Sequence, residues 1–285
     1  MEIVLTIIYA VLIGFYNVFK KLSLKRSSES VILVMFTTVS FLLSMIWIPF
    51  GIAIPIKFVA IFALKGFLLA LSWYFTLKVL KDADLSLVST TNILSIVLTF
   101  IFGIILFQES VGVLKIIGSV LVVAGITLIN LINRGSKGSI KALQFFLLIT
   151  CALITTTSHI IDKFTSDNLQ PHQVQFWFLL FVCLFSWIFF LIECKKQKSF
   201  LINISDLKNY WIYLVGLFLF VGDFLLFLAY QVPNSQMTTI SVISKFKVVV
   251  SVFAGILVFK EKNICKKILL TLLVILGVVL ISISG

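Results

Sequence analysis

Apolar runs of about 18 or more residues recur along the whole chain, and each is long enough to cross a bilayer as a helix. A chain that is 61% hydrophobic and only 12% charged lacks the polar surface of a soluble domain. A transmembrane barrel would need short alternating segments, and these runs do not alternate. In hydrocarbon, each helix satisfies its own backbone groups, so irregular links belong at the membrane surfaces.

Ten spans are predicted: Ile3–Phe19, Val31–Phe50, Phe58–Leu80, Leu85–Phe107, Val111–Ile132, Ala142–Phe164, Val174–Ile192, Tyr210–Tyr230, Met237–Phe259 and Ile264–Ser284. The breaks between them leave no room for a soluble domain. The basic residues at the N-terminus follow the first apolar run instead of preceding it, which does not fit a cleavable signal peptide.

The chain reads as a duplication. A shift of 152 residues lays Phe107-Gln108-Glu109 on Phe259-Lys260-Glu261 without a gap. It also lays Gly103 on Gly255, Lys115 on Lys267 and Gly125 on Gly277. Asn17 falls over His159 in a separate register. Each unit holds an odd number of spans, so the second copy enters the membrane in the opposite sense. The expected fold is an all-α polytopic membrane protein of ten transmembrane helices in two inverted five-helix repeats. Residues 1–132 form the first repeat, 133–141 a linker and 142–285 the second.

The formal net charge of +12 does not signal nucleic acid. Most Lys and Arg residues lie in the links after odd-numbered spans, where they meet anionic lipid and set orientation. The opposite links hold only Lys57, Lys115 and Lys163. The bias places both termini outside a cell inner (plasma) membrane. Cys151, Cys183, Cys194 and Cys265 have neither paired nor metal-ligand spacing. No phosphate-cradling loop, nucleophile elbow or zinc-protease helix is present. Neither an enzyme nor a cofactor is expected.

An ionised side chain inside the bilayer is costly and marks a pathway or ligand site. Lys245 and Lys247 interrupt the ninth span, projecting about 200° apart and so serving different ends. Asp223, on the eighth span, sits at nearly the same depth. An Asp223–Lys245 pair is expected, leaving Lys247 for a ligand; the reverse assignment, a purely structural pair, or Asp223 as a proton site are the alternatives. Lys65, Ser72 and Thr76 form a polar stripe on the third span, and Thr155, Ser158, His159 and Asp162 form another on the sixth. Asn17 and the Asn92, Ser95, Thr99 face are either substrate ligands or interhelical hydrogen-bonders, and His159 has the same two readings. The aromatics Trp73, Tyr74, Trp177, Trp187, Trp211 and Tyr213 read as packing or interface residues. Conspicuous glycines, among them Gly66, Gly125 and Gly277, read as close helix approaches.

These features resemble a known family. The ten spans, the five-plus-five duplication and the acidic signatures Leu106-Phe107-Gln108-Glu109-Ser110 and Val258-Phe259-Lys260-Glu261-Lys262 are similar to the EamA branch of the drug/metabolite transporter superfamily. The resemblance implies a secondary carrier working by alternating access. Substrates across that family include amino acids, nucleosides, sugars, cationic drugs, sugar phosphates and nucleotide sugars. Ser244 to Val250 is also similar to the basic ninth-helix segment of plastid sugar-phosphate carriers, although here the cations stand two apart.

The interior holds three lysines, Lys65, Lys245 and Lys247, against one clear carboxylate, Asp223. The expected cargo is therefore a small polar, anionic or carboxylate-bearing metabolite, and Lys247→Ala and Lys65→Ala are each expected to abolish transport without disturbing folding. Membrane lipid, a coupling proton or ion, and a monomeric or homodimeric state complete the expectation. A proton-coupled exporter of amino acids or amphipathic amines is the alternative, and a non-transporting flippase subunit is the alternative of a different class.

Overall fold

The computed structural model describes residues 1–82, 93–109, 111–133, 142–258 and 264–284, and the regular structure among them is entirely helical. The long helices are α1 (Glu2–Ser23), α2 (Glu29–Ser44), α3 (Ile56–Asp82), α4 (Ile93–Phe107) and α5 (Val113–Asn133). Then follow α6 (Ala142–Ser166), α7 (Pro171–Gln197) and α8 (Tyr210–Gln231). The ninth predicted span is broken into α9 (Met237–Ile243) and α10 (Lys247–Leu257), and α11 (Ile264–Ser284) closes the chain. Six helical stretches among the described residues are long and apolar enough to cross a membrane, with shorter apolar helices in α4, α5 and α11. The Phe259–Glu261 signature and most of the linker lie outside the described residues.

Local sequence explains several boundaries. α7 starts at Pro171, whose missing N–H costs nothing in the first turn, behind a reciprocal cap between Gln170 and Gln173. The second span does not stay α-helical to Phe50. It tightens into a 3-10 helix over Met45–Phe50, which contains Pro49. A single turn at Ile204–Leu207 is capped by Asn203 and Asp206. Asn209 then donates to the Ser23 carbonyl and the Ser27 hydroxyl, both at 3.0 Å, which ties the start of α8 to the end of α1.

Packing follows a regular scheme. α1 lies against α8 and against α9–α10, while α6 lies against α3 and α4. α3 packs on α7, α8 packs on α2, α2 packs on α7, and α5 packs on α11. Exchanging the first five long helices with those after the linker turns this set of contacts into itself.

Lipid tails are as apolar as leucine, so helices associate in a bilayer through close fit. The α5–α11 crossing shows it: a Cβ added to Gly277 would sit 2.5 Å from the Gly118 carbonyl oxygen. At Gly66, an added Cβ would sit 2.6 Å from Phe181 Cβ. One buried apolar cluster, with Phe36, Phe62, Phe178 and Phe227, spans α2, α3, α7 and α8. Another, with Ile96, Val122, Val248 and Val274, spans α4, α5, α10 and α11.

Candidate functional site

A cavity of about 160 Å³ lies between helices from both halves of the chain. α1 contributes Tyr9, Ile13, Tyr16 and Lys20, a stripe at i, i+4, i+7 and i+11 that keeps one helix face toward the void. α3 contributes Lys65, Ser72 and Thr76, and α6 contributes Thr155, Ser158, His159 and Asp162. Both polar stripes expected from sequence thus turn inward to the same place. Asp223 on α8 and Lys247 on α10 complete the wall.

Asn17, Lys65, Ser72, His159, Asp223 and Lys247 therefore share one cavity. Asn92 lies outside the described residues. Lys245 does not line the cavity. It is buried and donates to Ser95 Oγ on α4 at 2.9 Å.

The expected Asp223–Lys245 pair is not formed. Equal depth along two antiparallel helices says nothing about azimuth, and the ninth span is not one straight helix. Ser244 Oγ bonds back to the Ser241 carbonyl at 2.6 Å, and the backbone tightens into a 3-10 turn over Ser244–Phe246. Lys245 faces α4 from this turn, and Lys247, two residues later, opens α10 facing the cavity. Among the described residues Asp223 has no salt-bridge or hydrogen-bond partner, and neither has the Lys247 ammonium. Asp223 is buried and looks across the same void as Lys247.

A second correction concerns Asp162. The interior holds more than one carboxylate, since Asp162 is buried and forms a salt bridge with Lys65. Lys65 Nζ also lies 4.0 Å from the Phe178 ring centroid and 5.0 Å from that of Phe227. Two aromatic faces and a carboxylate thus surround this ammonium, replacing the water it loses. Ser158 Oγ approaches the other Asp162 oxygen at 3.4 Å. His159 Nδ1 meets the Tyr230 hydroxyl at 2.9 Å, joining α6 to α8, so the interhelical reading of His159 holds while the ring also borders the cavity.

Sequence reasoning missed Lys20, assigning it to the basic link after the first span. It is 2% exposed, donates to the Tyr16 hydroxyl at 3.2 Å and lies 4.7 Å from that ring's centroid. The stripe shared with Tyr9, Ile13 and Tyr16 was the available signal. Trp73 was read as a packing aromatic and does pack on Phe36 and Phe178, but it also lines the cavity. Cys151 lines it as well, with its thiol 3.4 Å from the Ser72 carbonyl.

The lining therefore carries three cations, Lys20, Lys65 and Lys247, and two carboxylates, Asp162 and Asp223, with Lys65 and Asp162 satisfying each other. Among the described residues no group of three or more His, Cys, Asp or Glu is placed to hold a metal ion. Such a cavity can bind a small polar solute, exclude water and orient it.

The model of the EamA-like transporter family matches residues 1–131 and 143–283. No curated protein matches the sequence significantly. A solved structure titled only "Crystal structure of protein" superposes with a TM-score of 0.73 at 14% sequence identity, covering 96% of this chain and 96% of that one. That likeness is one of fold. With the family model accounting for nearly the whole chain, the protein belongs to the EamA-like transporter family of the drug/metabolite transporter superfamily.

Proposed function

We propose that this protein is a secondary active carrier that moves a small polar, anionic or carboxylate-bearing metabolite across a cell inner membrane by alternating access. The observation that carries the reading is the Lys247 ammonium, which has no partner among the described residues and faces a central cavity that both halves of the chain line. An ammonium kept without a partner inside a membrane protein is best explained by a ligand that supplies the missing charge. Lys20 lines the same void and brings the cations there to three against two carboxylates.

Two further observations support the inverted-repeat mechanism, with units at residues 1–132 and 142–285. The family model matches on both sides of the linker. The helix contacts also interchange when the two sets of five are exchanged. Such a two-fold relation is what lets one site face either side in turn. The Lys and Arg bias supports an orientation with both termini outside.

Purified protein incubated with a metabolite library tests the reading, since a ligand of the folded state raises the melting temperature. An anionic metabolite should stabilise the native protein and not Lys247→Ala. Stabilisation by cationic drugs alone would contradict it.

One observation favours a second reading, in which the carrier couples flux to protons through Asp223. That carboxylate is buried, borders the cavity and has no ion-pair or hydrogen-bond partner among the described residues. In that case Asp223→Asn abolishes the dependence of flux on a pH gradient while leaving ligand-induced stabilisation in place.

A further inference from the structure

The cavity borders four of the long helices over part of their length. On α1 its lining runs from Tyr9 to Lys20, on α3 from Lys65 to Leu80, on α6 from Cys151 to Asp162, and on α8 from Leu219 to Phe227. On all four helices it stops short of the end marked by Glu2, Ile56, Ser166 and Gln231. At 1.5 Å per residue, the protein between the void and that surface is about 6–14 Å thick.

That end is fastened by side chains that tie the α4–α5 link and α1 to the start of α9. The Glu109 carboxylate accepts from the backbone N–H of Met237, from the backbone N–H of Thr238 at 3.0 Å, and from the Thr238 hydroxyl at 2.6 Å. Lys115 donates to the Gln236 side-chain oxygen, and Gln236 N–H donates to Glu2 at 3.2 Å. Nearby, Lys163 at the end of α6 reaches Ser235 Oγ at 3.1 Å. Glu109 makes the only threefold clasp of the group. It lies in the first half of the chain and its donors lie in the second.

We propose that Glu109 is a latch that holds the cavity shut at the Glu2 end of the bundle. The carboxylate takes up the first N–H groups of α9, which otherwise have no intrahelical acceptor. Opening this end draws the α4–α5 link away from α9, and those donors then pass to water. Charge-assisted hydrogen bonds are strong enough to bias a two-state equilibrium but are readily exchanged for water at a membrane surface. Gly103 fits this assignment: an added Cβ would meet Thr238 Cγ2 at 2.5 Å and Glu109 Oε2 at 3.0 Å, so the clasp needs bare backbone beside it. The latch rests on the alternating-access reading, but its test needs no substrate.

The test replaces Cys151, Cys183, Cys194 and Cys265 by serine and introduces Leu226→Cys, which places a thiol on the cavity wall. The protein is reconstituted in vesicles, and a membrane-impermeant maleimide is added from the Glu2 face or from the opposite face. With Glu109 intact, labelling from the Glu2 face is expected to be slow. Glu109→Ala removes all three hydrogen bonds and should speed it at least about tenfold, the change expected when even one charge-assisted contact is taken from a two-state balance. Labelling from the opposite face should not rise. Thr238→Val, which removes only the hydroxyl bond, should give a smaller change of the same sign and carries the test if Glu109→Ala fails to fold. An unchanged rate from the Glu2 face, or equal acceleration from both faces, would overturn the latch. The accessibility shift in a protein whose native form carries no solute across the vesicle membrane would instead count against the transport reading alone.

Discussion

The Lys65–Asp162 pair shows how a buried charge changes what a substitution reports. Its two members are 2% and 4% exposed, so neither can fall back on water. Removing one partner strands the other, which typically costs about 3–5 kcal/mol. Lys65→Ala is therefore not a clean probe of transport, contrary to what the sequence suggested. Lys65→Met and Asp162→Leu should each lower the melting temperature in detergent sharply, and the double variant Lys65→Met/Asp162→Leu should recover most of the loss. Additive losses in the double variant would rule out the pairing. Lys247 has no such partner among the described residues, so Lys247→Ala should remove function while changing stability by no more than about 0.5 kcal/mol. The residue types were legible in the sequence, because a charge in an apolar run stands out. Their pairings were not, since Lys65 and Asp162 meet across 97 positions. Lys20 escaped because its neighbours in sequence are basic, and only the helix face it shares with Tyr16 reveals it.

Among the elements, the break at Ser244–Phe246 decides which lysine meets the cavity. Depth could be counted from the link between α8 and α9, but a tight turn within a span has no hydropathy signal. The only trace was the Ser241, Ser244 spacing that allows the back-bond. The crossing of α5 and α11 was more legible, because Gly125 and Gly277 stood out as small residues in long apolar runs. The partner of Gly277 was missed: it is Gly118, whose carbonyl lies where a Cβ would go. Gly277→Leu should force these helices apart and destabilise the protein by about 1–3 kcal/mol or more, measured as a lower melting temperature. Gly51, with a φ of 85° and nothing within 4 Å of an added Cβ, should show only the backbone strain of its left-handed conformation in Gly51→Ala.

At the scale of the whole molecule, length and hydropathy were enough to indicate an all-helical membrane protein. The helix contacts among the described residues interchange between the two sets of five. The substrate was not legible, because cargo is chosen by a few side chains on a common scaffold. The central claim is that the Lys247 ammonium, without a partner among the described residues, binds an anionic solute in the shared cavity. The most direct measurement is flux of a panel of labelled small carboxylates and phosphates into vesicles holding the native protein or Lys247→Ala. At least one anion should cross with the native protein, and its flux should fall by an order of magnitude or more in the variant at unchanged melting temperature. Equal flux of that anion through both proteins would contradict the account, as would the absence of any anion flux through the native protein.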